Sequence, residues 1–335
     1  GDAPPRLVLQ EGGTWFSTDF SRDGQRLLVQ RRISINESRP AELDLRSGRL
    51  RMLSLADGPA AFGLFRYAPD DRSVYFTSDM GGEFMTLHHR PLERGRAQAL
   101  SADIPWDVTG FDIADDGRHL VFATNEDGIG RLHLRSLPDH RTVALPELPV
   151  GVIGNFGFSP DGTRIAVTLN TATSPSDIFV IDITAGTLKA WTRSEVGGLD
   201  ASRFVAPSLI RYESFDGLSI PAFYYRPAHI PEGTRVPVVI QIHGGPEAQA
   251  FPSFSPTIQY MVNEMGMAVL VPNVRGSSGY GRTFLKLDNG FLRKDAVRDI
   301  GALLDWIERQ PELDAERVGV FGGSYGGYMV LASMV

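Results

Sequence analysis

A short acidic turn followed by an apolar strand recurs four times in the first half of the chain. Ser21-Arg22-Asp23-Gly24 leads into Gln25–Val29, and Ala68-Pro69-Asp70-Asp71 into Arg72–Phe76. Ala114-Asp115-Asp116-Gly117 leads into Arg118–Phe122, and Ser159-Pro160-Asp161-Gly162 into Thr163–Val167. The aligned aspartates, Asp23, Asp70, Asp116 and Asp161, are spaced by 47, 46 and 45 residues. A period in the forties with about four strands per unit marks β-propeller blades. Ile178-Phe179-Val180-Ile181-Asp182-Ile183 shows most clearly the second, alternating strand of a unit. Independent hairpin modules would have no reason to keep so even a spacing. Residues 1–192 therefore read as a partial β-propeller of about four blades. Gly1–Leu7 is too short to supply a closing strand, so the ring is expected to be incomplete, with earlier blades upstream. Open blade edges favour association, so a homo-oligomer is one expected state.

The pattern lapses between residues 193 and 207, a linker containing Gly197-Gly198. A hairpin is then predicted from Leu209–Ser214, the turn pair Asp216-Gly217, and Leu218–Tyr225. The apolar run Val236–Ile242 predicts a buried parallel strand. After it come a predicted helix (Thr257–Met265), a strand (Met267–Val271) and a loop (Asn273–Gly281). A further helix carries Val297, Ile300, Leu304 and Ile307 at helical spacing, and a short strand spans Arg317–Phe321. Such alternation builds a mostly parallel sheet with helices on both faces.

The last strand runs into Gly322-Gly323-Ser324-Tyr325-Gly326, with a helix-compatible run after it. Gly-x-Ser-x-Gly between strand and helix is a nucleophile elbow, which lifts a serine hydroxyl clear of the backbone at a strained bend. The turn also aims the next N–H, that of Tyr325, at the oxyanion that forms when Ser324 attacks a carbonyl. Gly322, Gly326 and Gly327 fit a place where strand and helix approach too closely for side chains. Residues 208–335 thus read as the first part of an α/β-hydrolase domain, truncated after its elbow. Ser277-Ser278 lacks the strand–turn–helix context and reads as loop. Upstream, Val236–Ile242 ends in His243-Gly244-Gly245-Pro246, a loop type from which such hydrolases draw a second oxyanion donor. The triad order in this fold is Ser, Asp or Glu, then His. His243 precedes Ser324, so it is read as an orienting residue and not as the base.

Composition narrows the function. A net charge of −7 leaves no basic footprint for nucleic acid and no polybasic membrane anchor. No apolar stretch approaches the length of a membrane span. With no cysteine, disulfides, thiol catalysis and cysteine-ligated metal are excluded. No phosphate- or dinucleotide-binding glycine pattern occurs, and neither cofactor nor metal is expected. Adjacent His88 and His89 point to opposite faces of a strand and read as a solvated pair, not metal ligands. Arg275 either orients a substrate carbonyl or braces its own loop. No signal peptide is visible, which leaves a cytoplasmic and a periplasmic or secreted location both open.

His243-Gly244-Gly245-Pro246, the loop Asn273–Gly281 and Gly322-Gly323-Ser324-Tyr325-Gly326-Gly327-Tyr328 stand in an order and separation that resemble the prolyl oligopeptidase family of serine peptidases. The likeness is greatest to its acylaminoacyl-peptidase-like branch. It implies a seven-bladed propeller before the hydrolase domain, so that three blades, the final sheet strands and the triad Asp and His lie outside this chain. It also implies Ser324 as nucleophile, with the N–H groups of Tyr325 and Gly245 as the oxyanion hole. Branches that use a tyrosine hydroxyl as second donor place it where this chain has His243. The family's propeller screens substrates by size, admitting short peptides. The dipeptidyl-peptidase branch clamps a free amine with adjacent glutamates, and no Glu-Glu pair occurs here. The expectation is a serine peptidase acting on short peptides, with residues 1–335 alone inactive. A carboxylesterase and a non-catalytic propeller binding protein are the alternatives.

Overall fold

A computed structural model describes residues 4–93, 95–228 and 230–335. Four four-stranded sheets fill the first part of the chain, each ordered as a simple meander. The first joins β1 (Thr14–Phe20), β2 (Arg26–Ser34), β3 (Glu37–Asp44) and β4 (Leu50–Met52). The second joins β5 (Phe62–Tyr67), β6 (Ser73–Ser78), β7 (Thr86–Pro91) and β8 (Gln98–Ala99). β9 (Asp107–Ile113), β10 (His119–Glu126), β11 (Ile129–Ser136) and β12 (Thr142–Val143) make the third. The fourth holds β13 (Val152–Phe158), β14 (Arg164–Asn170), β15 (Asp177–Asp182) and β16 (Thr187–Ala190). None of these sheets is closed on itself, and the set is a partial propeller.

The acidic turns that mark the repeat connect the first two strands of every sheet. In the first, third and fourth, as in the second (Arg72 N to Asp70, 2.9 Å), the aspartate accepts from the backbone N–H two residues on: Gln25 N to Asp23 (3.0 Å), Arg118 N to Asp116 (2.9 Å) and Thr163 N to Asp161 (3.1 Å). The next residue is a glycine at φ 66°, 71° and 69° in those three turns. The second turn has Asp71 there at φ 54°, a residue type that tolerates this backbone better than most. Buried apolar side chains join neighbouring sheets. Leu28 packs with Phe62, Phe65 and Phe76 of the second sheet, and Tyr75 and Leu87 pack with Phe111, Leu120 and Phe122 of the third.

Two compact units emerge, one holding residues up to Thr124 with Leu132–Ala144 and Gly157–Thr163, the other holding Asn125–Arg131, Leu145–Phe156 and Arg164–Val335. The second unit contains a five-stranded mixed sheet of β17 (Ser208–Glu213), β18 (Ser219–Tyr225), β19 (Val236–Ile242), β20 (Ala268–Pro272) and β21 (Leu313–Gly322), ordered β17-β18-β20-β19-β21. Parallel pairing is confined to β20, β19 and β21; the hairpin adds two antiparallel ladders.

Helices cover both faces. α1 (Pro256–Asn263) buries Ile258 and Val262 against Phe223, Tyr225, Val269 and Val271. On the other face lie α3 (Arg293–Glu308) and α4 (Tyr325–Ala332), packed on Val238, Ile240 and Leu270; a one-turn helix, α2 (Arg282–Leu285), precedes α3. The buried stripe of α3 is Ala296, Asp299, Ile300, Leu303 and Ile307, whereas Leu304 is 41% exposed. The sequence-based stripe put Leu304 inside because a one-position shift rotates a helix only 100°, and both leucines fit the spacing. Leu303→Ala should therefore cost about 3 kcal/mol in denaturant unfolding, and Leu304→Ala less than about 0.5 kcal/mol. Equal costs would contradict the observed face.

Candidate active site

Parallel register decides what meets at the top of the sheet. Ile242 of β19 pairs with Gly322 of β21, so the chains leaving both strands run on side by side. A Cβ built on Gly244 would sit 3.6 Å from the Ser324 Cβ and 3.7 Å from the Gly323 carbonyl oxygen. The His243–Pro246 loop and the elbow are therefore neighbours at the carboxyl ends of parallel strands, the usual ligand crevice of open α/β sheets.

Ser324 holds φ 55° and ψ −120°, far from the conformations an L-residue prefers. Its side chain does not cap α4, and the residue is exposed. Tyr325 opens α4, so its N–H is among the first-turn donors that have no intrahelical acceptor. Gly245, at φ 134°, is exposed in the adjoining loop.

Close approach explains two of the three elbow glycines. A Cβ on Gly326 would lie 2.3 Å from the Ile242 carbonyl oxygen, and one on Gly322 would lie 2.8–2.9 Å from the backbone of Gly326. Gly327 differs: its nearest neighbour, Gly322 O at 3.6 Å, is an ordinary contact. The crowding expected there falls on Gly322 and Gly326 alone.

His243 has both ring nitrogens engaged. Nδ1 lies 2.6 Å from the Gly244 carbonyl, which can only accept, so Nδ1 carries the proton. Burial lowers the pKa of the ring, against a smaller upward pull from that carbonyl, and favours the neutral form. Nε2 lies 2.9 Å from the Ser277 Oγ, whose single proton is shared between that nitrogen and the Val274 carbonyl at 2.6 Å. Ser277, in the loop as expected, is 1% exposed and thus ties that loop to the glycine pair. An imidazole bonded in this way ties the glycine pair to the Asn273–Gly281 loop.

Arg275 braces its loop. Its guanidinium meets Asp299 at 2.8–3.1 Å and Asp216 at 2.9 Å, and its own N–H donates to Asp299 Oδ2 (2.9 Å). Ser214 also donates to Asp299 (2.6 Å). Burial opposes the charge of Arg275, but the hydrogen bonds to Asp216 and Asp299 outweigh it and raise the pKa. Hydrogen bonding to Arg275 lowers the half-exposed Asp216 to about 2. Asp299 stands on the buried face of α3, and an acidic residue between Ala296 and Ile300 was the available sign that this arginine has a partner. His88 stacks on Phe76 and His89 on Tyr75, on opposite faces as expected, though His88 is buried and not solvated. Among the described residues no cluster of His, Asp or Glu is placed to hold a metal, and no helix is long and apolar enough to cross a membrane.

Fold and elbow together define a partial propeller followed by an α/β-hydrolase sheet. Comparison with known proteins agrees: residues 252–335 match the model of the prolyl oligopeptidase family. The chain is 31% identical to an uncharacterized peptidase, YuxL, of Bacillus subtilis, over 53% of this chain and 27% of that protein. It is 32% identical to the acylamino-acid-releasing enzyme of Sus scrofa over 37% of this chain and 17% of the enzyme. With dipeptidyl-peptidase 5 of Porphyromonas gingivalis it shares 22% identity over 86% of this chain and 42% of that protein. A puromycin-hydrolyzing peptidase of Mycobacterium tuberculosis superposes with a TM-score of 0.83 at 22% identity, covering 97% of this chain and 52% of the other. The chain spans less than half the length of these curated relatives.

The close approach at the elbow sets a stability test. Gly326→Ala should destabilise by about 1–3 kcal/mol or more, because the atom it meets is backbone and cannot rotate away. Gly323→Ala, with nothing within 4 Å of its Cβ, should change stability by less than about 0.5 kcal/mol. Thermal melts of the two variants read the difference, and matching values would contradict the packing described.

Proposed function

We propose that the full-length protein is a serine peptidase that cleaves short peptides by acyl transfer, with Ser324 as nucleophile. One observation carries the reading. An exposed serine is held at φ 55° between a strand and a helix, beside a glycine-rich loop. Backbone strain of this kind costs about 1–3 kcal/mol and clusters where function requires it.

In the proposed reaction the Ser324 hydroxyl attacks the scissile carbonyl, and the N–H groups of Tyr325 and Gly245 hold the oxyanion. A histidine takes the hydroxyl proton and returns it to the leaving amine, oriented by an aspartate. Both are expected C-terminal to the elbow, in the Ser, Asp, His order of this fold. With His243 bonded to Gly244 and Ser277, the base must come from elsewhere. Removing one oxyanion donor costs about 10²–10³ in turnover in comparable enzymes, so the two main-chain donors account for a large part of the expected rate.

Residues 1–192, 193–207 and 208–335 are assigned as partial propeller, linker and hydrolase domain. The names of the relatives, an acylamino-acid-releasing enzyme and a dipeptidyl peptidase among them, support peptides as substrates. Without the histidine and aspartate, residues 1–335 alone should turn over little or no substrate.

Ser324→Ala in the full-length protein should lower kcat/KM on short acylated or free-amine peptides by about four to six orders of magnitude. It should also abolish labelling by a fluorophosphonate. Near-normal turnover in that variant would reject the assignment, and faster turnover of short-chain esters than of any peptide would favour an esterase.

A further inference from the structure

We infer that Asp288 is a positioning residue for the oxyanion site, acting on both of its donor-bearing segments at once; the inference rests on the reading of Ser324 as nucleophile.

Asp288 follows α2 and is fully buried. Among the described residues it pairs with Arg293, Nη1 to Oδ2 at 3.2 Å, and neither carboxylate oxygen makes a well-formed hydrogen bond. Burial raises its pKa, opposed by Arg293. A buried carboxylate with so few partners is costly to the fold. Its location gives that cost a purpose.

Toward the loop, Asp288 occupies the space above the Gly276 backbone. A Cβ on Gly276 would fall 2.1 Å from the Asp288 Cγ. The next residue, Ser277, bonds His243, whose Nδ1–H donates to the Gly244 carbonyl. Asp288 thus backs the chain of contacts that sets the peptide units leading into Gly245.

Toward the elbow, the Arg293 guanidinium that pairs with Asp288 lies 5.3 Å from the centroid of the Tyr325 ring. The Tyr328 ring stacks on the same residue, 6.0 Å between centroids. Tyr325 is 8% exposed, and its hydroxyl is buried. A tyrosine ring held by packing and by a cation fixes the backbone from which it grows, and here that backbone supplies the N–H next to Ser324. If Asp288 loses its charge, Arg293 loses its anchor and can swing toward solvent, since its side chain is 28% exposed. Both donors then gain freedom while substrate contacts elsewhere stay as they were. Oxyanion donors act by being already in place, so the loss should appear in the transition state and not in substrate binding.

Asp288→Asn in the full-length protein keeps shape and removes charge. The expected result is a fall of about ten-fold in kcat with KM within two-fold, less than the loss when a donor is removed outright. Affinity for a peptide boronate, which places a tetrahedral oxyanion in the site, should fall by a similar factor, while affinity for a product peptide stays unchanged. Arg293→Gln, at a partly exposed position, should act in the same direction and serves if Asp288→Asn does not fold. Wild-type kcat per folded molecule in both variants would overturn the inference, as would losses confined to KM. Ser324→Ala run beside them separates the two levels. If that variant keeps its activity, the nucleophile assignment fails. If it is inactive while Asp288→Asn and Arg293→Gln match wild type, only the positioning role fails.

Discussion

Gly326 lies so near the Ile242 carbonyl oxygen that no side chain fits between α4 and β19. That approach is the constraint from which the site follows. A helix pressed this tightly onto a parallel strand pair cannot start with a relaxed turn, so the residue joining β21 to α4 takes φ 55° and ψ −120°. The strain is held by packing beneath it, where Met329 of α4 meets Val238, Ile240 and other buried side chains of the sheet. A local distortion persists only when its surroundings over-determine it, and here the surroundings are a close-packed sheet face.

Buried polar contacts then set the loops around the bend. Arg275 and Asp299 anchor one end of the loop that follows β20, and Ser277 carries that fixity to His243 and the Gly244 carbonyl. Such pairs add little to net stability compared with apolar packing, but removing one partner leaves a buried charge exposed to a poor medium. They specify geometry. The same logic applies to Asp288 and Arg293 beneath Tyr325.

Much of the fold could be read from the sequence because its signals are local. The acidic turns announce themselves through an aspartate bonding the backbone two residues on, followed by a residue at positive φ. The elbow is legible for a similar reason, since the glycines mark crowding within a few residues. Longer-range facts were not legible. Choosing Leu303 over Leu304 for the inner face of α3 requires knowing the sheet it packs on. Ser277 reads as an ordinary loop serine until His243, 34 residues earlier, is seen to face it. The Asp288–Arg293–Tyr325 contacts join separate elements in space, and no spacing rule announces them. The hairpin is obvious in sequence, but its antiparallel ladder to β20 is decided by the fold.

A structure of the full-length protein with a peptide boronate bound would test the central claim most directly. The account predicts boron bonded to Ser324 Oγ, with one boronate oxygen about 2.7–3.1 Å from both the Tyr325 and Gly245 backbone nitrogens. A boronate attached to another residue, or one whose oxygen faces neither nitrogen, would contradict it.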